Sequence, residues 1–214
     1  MKTIIHEIPY SPASNLDEEI FTASSVFFDI ETTGFSPAHT SLYLIGCAYH
    51  IEQMLYIKQF FAETPEEEKE VLEQFLLLLD GFDTIITFNG IGFDIPYLKA
   101  KCNTYECNEH FADFTYVDIF KSISQIKHIL QLPNYKQKTI EAFLGIGRDD
   151  LYSGGELIEI YHSYTKEPRP DKLEILLLHN YEDVLDMPAL LPVLSYVHLF
   201  YLSLIHISEP TRPY

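Results

Sequence analysis

The run Val26-Phe27-Phe28-Asp29-Ile30-Glu31-Thr32-Thr33-Gly34 constrains this chain more than any other stretch. Its apolar half reads as a buried strand, and that strand runs straight into two acids spaced two apart. Residues i and i+2 of a strand point to one side, so Asp29 and Glu31 present two carboxylates to one spot. Thr32-Thr33-Gly34 then turns the chain away. Two anions held together call for a positive group between them, and a divalent cation on oxygen ligands is the obvious candidate. The other reading is a solvated strand end that happens to carry two acids.

The rest of the pattern surrounds this strand with an α/β domain. Residues 1–23 read as a lead-in, with Ile4, Ile5 and Ile8 in a short edge strand and Asp17-Glu18-Glu19 in a helical turn. Strands are expected at residues 24–30, 41–50 and 54–61, joined closely enough for a meander. Thr64-Pro65-Glu66-Glu67-Glu68 then marks a helix start, followed by Val71, Leu72, Phe75, Leu76 and Leu79 at helical spacing and by Gly81. A short apolar strand at 84–88 turns at Asn89-Gly90 into a helix over 93–101. A strand at 115–119 leads to a helix over 120–130 and a short helix over 139–144. After the break at Gly154-Gly155, helices are expected over 156–164 and 172–187. Strands alternating with helices after an antiparallel three-strand meander predict a mixed sheet with added parallel strands and helices on both faces.

Composition bounds the function. Hydrophobic residues make up 47% of the 214 positions and aromatics 14%, enough for a packed core. The formal net charge of -18 argues against a protein that binds polyanions through a basic surface. It argues less against an enzyme that meets a polyanion through metal ions. Cys47, Cys102 and Cys107 form neither a disulfide framework nor a zinc site, and fit a reducing cytoplasm. Residues 1–12 lack a basic region followed by an apolar core, so no signal peptide is expected. Residues 187–207 carry no Asp, Glu, Lys or Arg and nearly span a bilayer, but Pro188, Pro192, Ser195, His198 and His206 weaken that reading, and no membrane partner is expected. Residues 203–214 resemble a translated sequencing adapter, so the domain is expected to run over 24–202 with a non-native tail.

Two further acidic motifs follow. In Phe88-Asn89-Gly90-Ile91-Gly92-Phe93-Asp94 a buried strand ends in a glycine-rich turn and Asp94 sits at a helix start. There it is either a helix cap or a ligand that glycines let the backbone approach. In His179-Asn180-Tyr181-Glu182-Asp183, His179 and Asp183 share one helix face, as a surface pair or as part of a site. Glu182 and Asp186 read as solvated helix acids.

Together, Asp29-x-Glu31-Thr-Thr-Gly, Phe88-Asn89-Gly-x-x-Phe93-Asp94 and His179-Asn180-x-x-Asp183 resemble the three exonuclease motifs of the DnaQ-like, ribonuclease-H-like superfamily. More narrowly they resemble the YprB-type ribonuclease-H-like domain, whose pattern also covers Val117-Asp118-Ile119, Gly147-Arg148-Asp149-Asp150 and the Gly154-Gly155 to Tyr161 segment. The resemblance runs over residues 24–196. It implies that Asp29, Glu31, Asp94 and Asp183 hold two divalent cations, Mg²⁺ or Mn²⁺, for phosphodiester hydrolysis. It also implies that His179 is the general base, here four residues before the last Asp, a spacing that related enzymes usually give to Tyr.

The implied activity is a DEDD-type 3′→5′ exonuclease, a cytoplasmic hydrolase acting on single-stranded DNA or RNA ends. Two alternatives are a nucleic-acid-binding or regulatory module with weak catalysis and a ribonuclease-H-type endonuclease. Thr32, Asn89 and Phe93, which flank the acids, are expected to touch substrate. So are Lys136, Lys138 and Arg148. Residues 119–148 carry five cations (Lys121, Lys127, Lys136, Lys138 and Arg148) against Glu141 alone, a local charge of +4. This span reads either as the substrate path, contacting phosphates, or as an ordinary solvated segment. Phe35 and Tyr135 are candidates for stacking on bases.

Overall fold

The computed structural model describes residues 1–12, 15–197 and 199. The expected non-native tail at 203–214 lies outside them. A six-stranded mixed sheet organises the chain in the order β1-β4-β3-β2-β5-β6. The strands are β1 (Lys2–Pro9), β2 (Ser25–Thr32), β3 (Leu42–Ile51), β4 (Met54–Phe61), β5 (Thr84–Thr87) and β6 (Thr115–Asp118). β2, β3 and β4 form the antiparallel meander, and β1 extends it antiparallel to β4. β5 and β6 add in parallel on the other side of β2. β2 is therefore the strand where the two halves meet.

The helices are α1 (Asn15–Ile20), α2 (Glu68–Leu79), α3 (Asp94–Tyr105), α4 (Ile119–Ser124), α5 (Lys127–Leu130), α6 (Gln137–Leu144), α7 (Gly154–Lys166) and α8 (Pro170–Leu190). Among the described residues, none is long and apolar enough to cross a membrane. Alternation along the strands splits the core in two. Val26, Phe28 and Ile85 pack with Val71, Leu72 and Phe75 of α2 and Leu98 of α3. Phe27 and Ile86 pack on the opposite face with Ile119 and Ile123 of α4, Ile140 of α6, and Val184 and Met187 of α8. Because side chains alternate, Asp29 and Glu31 share the Phe27 face and emerge under α8.

Several boundaries differ from the sequence pattern for local reasons. Strand β2 continues through both acids, and its register shifts between Glu31 and Thr32 before the turn. Thr64 opens a single 3₁₀ turn, Pro65–Glu67, before α2 begins at Glu68. The helix expected over 120–130 is broken into α4 and α5. Gly154-Gly155 does not break the chain. It forms the first turn of α7, where Ser153 and Glu156 make a reciprocal capping box.

Candidate active site

Three elements converge at one end of the sheet. Parallel strands β2 and β5 end side by side, and α3 starts just beyond β5. Asp94 is 6% exposed and accepts the Ile30 N–H at 3.2 Å, so it ties the start of α3 to β2 and does not cap the helix. Phe93 holds the cap position, and its ring packs edge-to-face with Phe35 at 5.9 Å. Asn89 adopts φ 68 where β5 turns, and its N–H donates to Asp118.

α8 crosses above β2 because β3 yields space. Gly46, paired with Asp29, lies under Asn180, where a Cβ would come within 2.1 Å of the Asn180 Oδ1. Asn180 uses this proximity to donate to Asp29 Oδ2 at 3.2 Å, and it accepts from Gln59 at 3.0 Å. One turn of α8 thereby places His179 and Asp183 over the β2 acids. His179 Nε2 lies 3.3 Å from Asp183 Oδ2 and 3.4 Å from Glu31 Oε1. Glu31, His179 and Asp183 each offer one ligand atom, and these atoms lie within 4.8 Å of one another. With Asp29 and Asp94 beside them, this is a donor set dominated by hard oxygens.

The electrostatics match that geometry. Burial, then the charges of Asp183 and Asp94, push the Asp29 and Glu31 carboxyls well above the usual range. Burial pushes Asp94 up to about 7 despite its backbone hydrogen bonds. Acids buried against each other resist ionising until a cation joins them.

The loop before α7 contributes a second layer that the sequence reading missed. The Asp149 and Asp150 N–H groups donate to the two oxygens of Glu182 at 2.8 and 2.9 Å. Glu182, expected to be solvated, is buried and clamps this loop to α8. The clamp delivers Asp150, whose Oδ2 lies 2.6 Å from His179 Nδ1 and 2.6 Å from Lys138 Nζ. Burial opposes the charge of Asp150, but Lys138, the Tyr152 N–H and His179 outweigh it and hold the carboxyl below its usual range. An ionised carboxylate only accepts, so His179 donates from Nδ1 to Asp150 and turns Nε2 toward the acids. Asp186 is half-buried, its carboxyl pushed up to about 7 by burial and then by Glu141.

Arg148 and Lys138 do not lie on an open phosphate path. The Arg148 side chain is 7% exposed, with Nη1 at 2.6 Å from Asp183 Oδ1 and 3.2 Å from Glu141, and Nη2 at 3.2 Å from the His179 carbonyl. It occupies one oxygen of Asp183 and leaves Oδ2 facing His179 and Glu31. Lys138 is held by Asp150 and the Tyr152 carbonyl. Thr32 spends its hydroxyl on the Gly34 carbonyl. Lys136 is exposed at the start of α6. Removing Arg148 leaves Glu141 and Asp183 buried against each other without compensation. Arg148→Met is therefore expected to cost about 3 kcal/mol or more and lower Tm by about 10 °C. Thermal denaturation checks this, and an unchanged Tm would show that the cage needs no cation of its own.

Comparison with known proteins fits this architecture. Residues 26–195 match the RNase_H_2 family model of the RNase_H superfamily, and the chain belongs to that superfamily. It is 29% identical over 177 residues to the uncharacterized protein YprB of Bacillus subtilis (strain 168), covering 81% of this chain and 41% of that protein. A 43-residue stretch is 42% identical to a DNA polymerase of Methanocaldococcus jannaschii, covering 20% of this chain and 3% of the polymerase. The fold also matches a family B DNA polymerase from the archaeon Pyrobaculum calidifontis, with a TM-score of 0.62 and 19% identity over 80% of this chain and 24% of that one.

Proposed function

We propose that this RNase H superfamily member is a metal-dependent nuclease that hydrolyses phosphodiester bonds, working 3′→5′ on single-stranded DNA or RNA ends. The observation that carries the reading is the cluster of Glu31, His179 and Asp183, with Asp29 and Asp94 close enough for their charges to oppose those of the cluster. The residues fit divalent cations because their oxygens are hard, buried and mutually repelling. Asp29, Glu31, Asp94 and the free oxygen of Asp183 would hold two Mg²⁺ or Mn²⁺ ions. Such ions supply charge neutralisation and Lewis acidity at the scissile phosphate.

The protein's own groups do the remainder. His179 Nε2, its ring oriented by the Asp150 contact at Nδ1, takes the proton from the attacking water. Asn180 holds Asp29 in place, and the Ile30 N–H holds Asp94. A DNA polymerase among the sequence relatives supports a nucleic-acid substrate. The excess negative charge of the chain is consistent with this chemistry, because bound cations would offset the acids toward the phosphate.

A labelled single-stranded oligonucleotide incubated with Mn²⁺ tests the reading. A ladder shortening from the 3′ end is the expected result. Internal cuts indicate a ribonuclease-H-type endonuclease instead, and binding without cutting indicates a regulatory module. Either outcome overturns the proposal.

A further inference from the structure

Beside the acid cage lies a cleft of about 460 Å³, between the end of β5 and the segment joining α5 to α6. Its size suits one nucleotide. Gln137 connects the two places. It lines the cleft, and its side-chain amide donates to the Asp183 carbonyl at 2.8 Å and to Glu141 at 2.9 Å. Asn89, on the turn that leads to Asp94, lines the opposite wall. The cleft is therefore contiguous with the catalytic end of the sheet.

Its walls carry positive charge that no acid among the described residues neutralises. Several cations of this acidic chain are paired: Lys2 with Glu63, Lys101 with Glu68, Lys138 with Asp150, Lys172 with Glu167. Lys127 and Lys136 line the cleft, and neither is ion-paired with an acid among the described residues. Lys127 is nonetheless fixed. Its ammonium lies 4.4 Å from the Phe120 ring centroid and 4.9 Å from that of Tyr135. Tyr135 is itself anchored, its hydroxyl donating to the Lys127 carbonyl at 2.7 Å. Aromatic faces hold a cation without cancelling its charge, so Lys127 stays available to an anion. Phe88 packs on Phe120 at 5.9 Å and completes an apolar wall.

We propose that this cleft is a subsite for an unpaired nucleotide one or two positions upstream of the scissile bond. Lys127 and Lys136 take its phosphate, and Phe120 takes its base. The inference rests on the nuclease reading and adds a location and a ligand to it. An unpaired base is required because a base within a duplex has no free face to give to Phe120. Phosphate contact by lysine carries no sequence preference, so the subsite reads strandedness and not sequence.

Fluorescence anisotropy with 5′-labelled oligo-dT and oligo-rU, with Ca²⁺ replacing Mg²⁺, tests the subsite on the full chain. For a single strand, each phosphate-contacting lysine removed lowers the salt slope of log K by about 0.7. The expectation is that Lys127→Gln and Lys136→Gln each show that change, while Lys58→Gln and Lys166→Gln do not. Phe120→Leu keeps apolar volume but loses the stacking face and one of the two rings that hold Lys127, and is expected to weaken binding about 10-fold. Loss on both oligomers assigns the subsite to the phosphate and base; loss on oligo-rU alone assigns it to RNA. If the parent shortens oligonucleotides from one end but these variants bind as it does, the subsite is wrong and the nuclease reading survives. A parent that neither binds nor cuts overturns both.

Discussion

Asp29→Asn is expected to abolish phosphodiester cleavage while making the metal-free protein more stable at alkaline pH. The two effects have one cause. Asp29 lies beneath α8, half-buried beside Asp183, Asp94 and Glu31, and each neighbouring charge raises the cost of its own. Losing one ligand of a cation-binding cage forfeits several kcal/mol of transition-state stabilisation, so turnover should fall at least ~10³-fold. The stability effect follows from the direction of the shifts. Asp29 and Glu31 titrate well above their ordinary values of 3.8 and 4.5 in the fold, and Asp94 at about 7. Between the ordinary and the raised values the folded state binds more protons than the unfolded one. The contribution of these three carboxyls to stability is therefore full below about pH 4 and is lost as pH rises through the raised values. The parent, freed of metal by chelation, should lose about 5 °C or more in Tm between pH 5 and pH 8. Mg²⁺ or Mn²⁺ should restore it, because a ligand that binds only the folded state stabilises by mass action. In Asp29→Asn the fall with pH should be shallower and the metal response smaller. A parent whose Tm rises from pH 5 to pH 8 under chelation would show that these carboxylates do not oppose one another.

The contrast between Asp29 and Asp150 shows what a sequence makes visible. Asp29 and Glu31 are legible because a strand repeats every two residues, so spacing alone puts both side chains on one face. His179 and Asp183 are legible for the same reason on a helix. Asp94 is visible because a glycine-rich turn before a helix start is unusual. Asp150 belongs to a loop, and no period connects a loop to the helix it packs on. Its place depends on Glu182, which catches two consecutive N–H groups of that loop. Glu182 stands three residues after His179, so the same helical rule that singled out Asp183 also put it near the site. Its role is hidden because an acid on a helix usually faces solvent. Arg148 was obscured by charge counting. Residues 119–148 sum to +4, yet Arg148 is neutralised internally and Lys138 by Asp150, which leaves Lys121, Lys127 and Lys136 as the cations of this span without an ion pair among the described residues. Gly46 resembles any strand glycine, and its purpose appears only when Asn180 lies over it.

Asp150→Asn tests the part of the site that spacing could not reveal. In the parent, Nδ1–H of His179 donates to Asp150 Oδ2 at 2.6 Å, and Nε2 is the nitrogen that faces Glu31 and Asp183. An asparagine keeps the volume but presents either an oxygen or an N–H₂ to the ring. When the N–H₂ faces it, Nδ1 must accept and the proton moves to Nε2. Then Nε2 can no longer take a proton from water. The analogous loss of a histidine's carboxylate partner in serine proteases costs ~10⁴-fold, which bounds the effect from above. Here kcat is expected to fall roughly 10²- to 10⁴-fold with KM nearly unchanged, because Asp150 orients the base and does not face substrate. A stability defect alone lowers the active fraction without changing the histidine, so activity is paired with ¹⁵N NMR of His179. The parent should show the Nδ1–H form, and Asp150→Asn a shift toward Nε2–H. Glu182→Gln supplies the intermediate case: the loop loses a charge-assisted clamp, yet Asp150 itself is retained. Its kcat should fall less than that of Asp150→Asn, and its ring should keep the parent form. An unchanged kcat in Asp150→Asn, or an Nε2–H form already present in the parent, would mean that Asp150 serves only the packing of the loop.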